Sequence, residues 1–199
     1  MTAAEIQKLR AVDFSDEGIL HVVVLASFFN YLNRVADAVD IEFDYESPLP
    51  RMVKNSQREP TPRPSSQSPR DSTAAVPLAM GLAARPRTAA AFGRWREYVF
   101  GRDAPLSKRE RRVVARAAAG QLVDFRTLDR MGDAQPRNEH ETILAQYAET
   151  LTLTPWRLDE SGIDRLRGLG LDDAGVLDVI SVAAFQNTAS RLELVLSAV

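Results

Sequence analysis

Three carboxylates in the second half of the chain, Glu110, Asp124 and Asp129, have the type and spacing to do chemistry. Carboxylates gathered in a pocket raise one another's pKa, and a carboxyl so raised can serve as a general acid or base, or as a metal ligand. Each has a second reading. Glu110 follows Ser107 by three positions, the Ser-x-x-Glu pattern of a capping box, which would tie its carboxylate to the start of a helix. Asp124 and Asp129 stand beside Arg126 and Arg130, as on a solvated face.

A second constellation occurs twice. Asn30 and Arg34 are four residues apart, as are Asn187 and Arg191, so each pair shares one helix face. Such a face could line a binding site for a small organic acid. It could equally hold an interhelix hydrogen bond, or an Arg34–Asp37 pair, inside an apolar bundle, where buried polar groups must be satisfied. The two histidines, His21 and His140, have no partner at metal-ligand spacing. No metal and no cofactor is expected.

Arg85, Arg87, Arg94, Arg96, Arg102, Lys108, Arg109, Arg111, Arg112 and Arg116 make the middle of the chain basic, with Phe92, Trp95, Tyr98 and Phe100 among them. The aromatic spacing suits one buried helix face, and the formal net charge is -2. Nucleic acid is therefore not expected as a partner; acidic residues of a neighbouring subunit are the simpler destination. There is no phosphate loop, nucleotide fingerprint or Ser-His-Asp order. The chain has no cysteine, which removes disulfides, thiol nucleophiles and thiolate metal sites. No signal peptide is expected at MTAAEIQKLR, the apolar run Val22 to Phe29 is short for a bilayer, and a cytoplasmic location is the default.

The elements that must position these residues are helices. No segment alternates with period two, and no Asn-Gly or Asp-Gly hairpin turn occurs, so the reading is all-α. Residues 1–45 read as a helical hairpin. Residues 46–73 hold six of the eleven prolines and predict an extended, basic linker with polyproline II character. Residues 74–199 are helical again. Helices are expected over Ala74 to Ala84, Thr88 to Phe100, Ser107 to about Gly120, Gln121 to Met131, Asn138 to Leu153, Ile163 to Leu169, and from Asp172 or Asp173 to Ala198. Thr154-Pro155 predicts a cap followed by proline at a first helical position.

The two ends of the chain are copies. Leu9 to Ile41 aligns without gaps on Leu166 to Ala198 at a constant offset of 157. Leu9, Arg10, Asp16, Gly18, Leu20, Val22, Ala26, Phe28, Asn30 and Arg34 recur as Leu166, Arg167, Asp173, Gly175, Leu177, Val179, Ala183, Phe185, Asn187 and Arg191. Both copies predict a long helix that is apolar on most sides, suited to a bundle centre or a subunit interface.

These residues resemble the alkylhydroperoxidase D-like / carboxymuconolactone decarboxylase superfamily. The matching pattern is a short helix ending in Leu-Arg, a turn, an Asp, and a long helix with Asn and Asn-Arg. LSKRERRVVARAAAGQLVDFRTLDRM resembles the upstream helices, and FDYESPLPRM with REPTPRP the tail of the peroxidase-related branch. Residues 74–199 resemble one nearly complete domain, and residues 1–64 the end of a second copy. The resemblance implies an alkylhydroperoxidase D-like bundle and a homo-oligomer (dimer, trimer or hexamer). It places the catalytic Glu of the peroxidase branch on Glu110 and its Cys-x-His-Cys-x-x-x-His motif on Leu122, Asp124, Phe125 and Asp129. Leu122 and Phe125 stand where thiols would be, and peroxide reduction needs a thiolate. The expected function is that of a cysteine-less family member without thiol peroxidase activity, either binding a small ligand or serving as an assembly subunit. The alternatives are a cofactor-independent acid–base enzyme of decarboxylase or lactone type using Glu110, and an antioxidant protein that takes its thiols from a partner.

Overall fold

The computed structural model describes residues 3–39, 41, 82 and 85–196. The linker 46–73 and the helix expected over 74–84, apart from Leu82, lie outside the described residues. Among those described there are eight α-helices and no strand. They are α1 (Ala3–Arg10), α2 (Asp16–Val39), α3 (Pro86–Phe100), α4 (Lys108–Gln121), α5 (Phe125–Arg130), α6 (Glu139–Leu153), α7 (Glu160–Arg167) and α8 (Asp173–Leu196). A short 3-10 turn spans Pro155–Arg157, and Thr154 makes no side-chain cap there.

The punctuation follows side-chain chemistry. Ser107 Oγ accepts from the Glu110 amide at 3.2 Å, and the Glu110 carboxylate accepts from the Ser107 amide at 2.7 Å, closing a capping box on α4. The helix expected over Gln121 to Met131 is broken at its start. Val123 takes a left-handed φ of 58° and Asp124 restarts the chain as the N-cap of α5. A β-branched residue is strained in that region, so the neighbours of Val123 must hold it there. Asn138 caps α6, Asp159 caps α7, and Asp172 accepts from the Gly175 amide at 2.8 Å to cap α8.

The repeat is visible as structure. Arg10 pairs with Asp16 at 2.8 Å, and Arg167 with Asp173 at 2.9 Å. Asp13 (φ 65°) and Gly170 (φ 85°), one offset apart, both turn through the left-handed region. Ser15 Oγ accepts from the Gly18 amide as Asp172 does from Gly175. The same three devices build the same helix–turn–helix at both ends of the chain.

α8 is the centre of the bundle. It packs on α2, α4, α6 and α3, and 17 of its 24 residues are buried. α2 runs antiparallel along it. Ala38 joins the main core with Val176 and Ile180, whereas Ile19 and Val23 pack with Leu192 and Val195. At mid-length Thr188 Oγ1 donates to the Ser27 carbonyl at 3.0 Å. Ser27 lies two residues before Phe29, and Thr188 two after Gln186, the repeat equivalent of Phe29. The two copies therefore meet across an approximate twofold axis that passes near Phe29 and Gln186. Their facing stripes are equivalent too: Ile19, Val23, Ser27, Asn30, Arg34 and Ala38 against Val176, Ile180, Ala184, Asn187, Arg191 and Val195.

Candidate functional site

The three carboxylates do not converge. Glu110 lies in the first turn of α4 and Asp124 just past its C-terminal end, so most of the helix separates them, about 20 Å at 1.5 Å per residue. Glu110 is occupied by Ser107 and lies 2.9 Å from Nε2 of His140, a contact between carboxylate and imidazole at the solvent edge. Asp124 is buried rather than on a solvated face. It accepts from the Thr127 amide at 3.1 Å and from Ser190 Oγ at 2.6 Å, tying α5 to α8. Asp129 is exposed. Leu122 ends α4 half-buried, and Phe125, 73% exposed, fills no cavity.

Asn30, Arg34, Asn187 and Arg191 do converge, on the seam between α2 and α8. Side chains on a helix lean toward its N-terminus, so in an antiparallel pair Arg34 and Arg191 both reach back toward the crossing. Arg34 Nη2 lies 3.5 Å from the Thr152 carbonyl, and Nη1 lies 3.7 Å from Asp37. Both are long for charged hydrogen bonds. Asn187 Nδ2 donates to Thr152 Oγ1 at 2.9 Å and to the Ala183 carbonyl at 3.0 Å. Nε of Arg34, Nε of Arg191, Oδ1 of Asn30 and Oδ1 of Asn187 are all buried without a partner. Burial holds both guanidinium pKa values below the ordinary arginine value; Asp37 partly offsets this for Arg34, and the nearby charge of Arg34 adds to it for Arg191.

Five of the ten cations of the basic middle find acids within the chain. Arg111 is fully buried and makes a bidentate pair with Asp178, one arm at 2.9 Å; it also donates to the carbonyls of Val99, Leu106, Arg102 and Ala104. Arg102 adds a third arm to Asp178 at 3.1 Å. Arg109 pairs with Glu141 at 2.7 Å and holds that carboxyl below its usual range, and Arg112 pairs with Asp133. Arg85 pairs with Glu17 and meets His21 at 2.7 Å. For these five the acids come from the same chain, not from the neighbouring subunit expected to supply them. The residue missed was Asp178. An acid early in a largely apolar helix, in a chain with ten cations upstream, was the available signal.

Two surface recesses lie elsewhere. One of 220 Å³ is lined by Tyr147, Arg157, Asp159 and Arg165, and burial raises the pKa of the Tyr147 hydroxyl. The other, of 540 Å³, lies between the end of α2 and the start of α8 and is lined by Asp37, Leu158, Arg167 and Ile180. No grouping of His, Asp and Glu suited to a metal occurs among the described residues. No family model matches the chain, and no curated protein is similar to it at a significant level.

Proposed function

We propose that this chain is a non-redox relative of the alkylhydroperoxidase D-like superfamily that works as an oligomeric assembly protein. One observation carries the reading: α2 turns a stripe of large apolar side chains to solvent. Val22, Leu25, Phe29 and Leu32 recur on one helix face; Leu25 is 61% and Phe29 55% exposed. An apolar row of this length on a soluble surface marks an interaction site. The occupant we favour is a second copy of the chain. In α8 the positions equivalent to Val22, Leu25, Phe28 and Phe29 are Val179, Val182, Phe185 and Gln186, all buried. The sequence of this helix is therefore one that is covered on that face when its neighbours are present.

By length and composition α2 is the one helix among the described residues that could cross a membrane, with a mean hydropathy of 1.4 over its best window. The shorter run Val22 to Phe29 had suggested otherwise, because polar residues interrupt it. Two features favour a protein partner over lipid. Asn30 and Arg34 lie on the face against α8, and α2 carries Asp16, Glu17 and Asp37 against Arg34, a net -2 that anionic headgroups repel.

Light scattering on a sizing column is the test. The parent should elute at a multiple of the chain mass at micromolar concentration. Leu25→Glu with Phe29→Glu should elute as a monomer with unchanged helical circular dichroism. A monomeric parent would sink the proposal.

A second reading rests on the contact between Glu110 and His140. The carboxylate and imidazole lie 2.9 Å apart without hydrogen-bond alignment; a turn of the ring would let them relay a proton, as an acid–base enzyme of decarboxylase or lactone type would need. Glu110→Gln keeps an acceptor for the Ser107 amide and removes the base. If a lactone or small organic acid is turned over, that variant should lose about a hundredfold in kcat. An unchanged rate leaves Glu110 as a cap.

A further inference from the structure

The seam between the two repeats holds more unmet hydrogen-bonding capacity than a structural contact requires. Four arginines outside the seam have a carboxylate each: Arg111 has Asp178, Arg109 has Glu141, Arg112 has Asp133 and Arg85 has Glu17. Arg191 has neither a carboxylate nor a hydrogen bond among the described residues, and Nε of Arg191 and of Arg34 is a buried, unused donor. Two half-buried cations placed together are costly unless an anion joins them. We infer that Arg34 and Arg191, with Asn30 and Asn187, form a binding site for a small 2-hydroxy carboxylate at the twofold seam.

Each part of the ligand follows from a group on the seam. The two guanidinium groups call for a carboxylate, which accepts from planar donors. The two unpaired Asn oxygens call for a donor hydrogen on the same molecule. The Asn187 amide cannot be turned to remove that need. Its Nδ2 already faces the Ala183 carbonyl and Thr152 Oγ1, and Oγ1 gives its own proton to the Ala148 carbonyl at 2.7 Å. An ammonium group could also supply hydrogens, but two arginines repel it, so a neutral hydroxyl fits better.

The test is thermal unfolding and calorimetry of the full chain with glycolate, L-lactate, acetate and inorganic phosphate. Glycolate or lactate should raise the midpoint by roughly 3 °C or more when well above its dissociation constant. Arg34→Gln and Arg191→Gln should each weaken binding by about tenfold or more. Arg191→Met, which removes an unpaired cation, should fold and show a ligand-free midpoint at least as high as the parent. No shift with any of the four anions at tens of millimolar would overturn the inference. So would a shift that survives in the double Gln variant, a larger response to phosphate than to lactate, or an Arg191→Met variant less stable than the parent. Protein concentration is held fixed across all variants, because the midpoint of an assembling chain depends on it, and calorimetric binding is read separately from the midpoint.

Discussion

α2 and α8 are two copies of one helical pattern in two environments. α8 is surrounded by α2, α3, α4 and α6 and buries even its polar residues, among them Gln186, Asn187, Thr188 and Ser190. α2 leans on α8 alone for most of its length and buries only Ile19, Val23, Ser27 and Ala38. Both helices carry the same turn, the same cap and the same ion pair at their start. The difference lies in what surrounds them. An apolar helix pattern specifies that faces must be covered; it does not specify by what.

Position 178 and its equivalent, position 21, sharpen the contrast most. Asp178 is 4% exposed and satisfies the fully buried Arg111, whereas His21 meets Arg85 at the surface. Asp178→Ala leaves a buried cation without its counter-charge and should cost about 3–5 kcal/mol. His21→Ala should cost no more than about 1 kcal/mol. Urea unfolding of both variants checks this, and equal losses would break the comparison.

The phenylalanine pair comes next. Phe185 stacks with Phe92 at 5.3 Å and meets Trp95 edge-on at 4.8 Å, and it is 1% exposed. Phe185→Ala should cost about 3–5 kcal/mol by leaving a cavity. Phe28, half-exposed against the same Trp95, should cost about 1 kcal/mol in a monomeric background. A larger Phe28 loss that depends on protein concentration would point to the α2 interface.

A third test concerns acid. Glu141 is nearly buried, and the Arg109 hydrogen bond holds its folded pKa below the unfolded value. Its stabilisation is therefore present above the ordinary glutamate value and is lost as pH falls through the folded one. Glu141→Gln should cost about 1–3 kcal/mol at neutral pH and show a smaller loss of stability on acidification than the parent. The parent and variant curves should converge at low pH.

The smallest effect is kinetic. Amides of α2 should exchange faster than those of α8 in the free chain, because fewer buried contacts hold them. Hydrogen exchange by mass spectrometry reads this directly. Protection of α2 that rises with protein concentration would mark it as the assembly surface.

Much of the local structure was legible. Ser107 and Glu110 announced the start of α4, because a capping box needs only residues three apart. The bounds of α2 and α8 followed from their apolar runs and acidic starts. Val123 and Asp124 were not legible as a break, since Gln121 to Met131 keeps helical spacing and the stop depends on a left-handed residue that composition does not favour. The carboxylate set failed for a related reason. Residue order places Glu110 and Asp124 close together, but a straight helix carries them to opposite ends.

The sequence alone determined the helices, their caps and the fact that one module occurs twice, because these depend on contacts within a few residues. Only the tertiary structure decided that the two modules meet antiparallel, that Asp178 receives Arg111, and that Arg34 and Arg191 share one seam. Those outcomes come from packing between segments as far apart in the chain as Ser27 and Thr188. The energy of a long-range contact depends on which faces are already covered, and no local pattern encodes that.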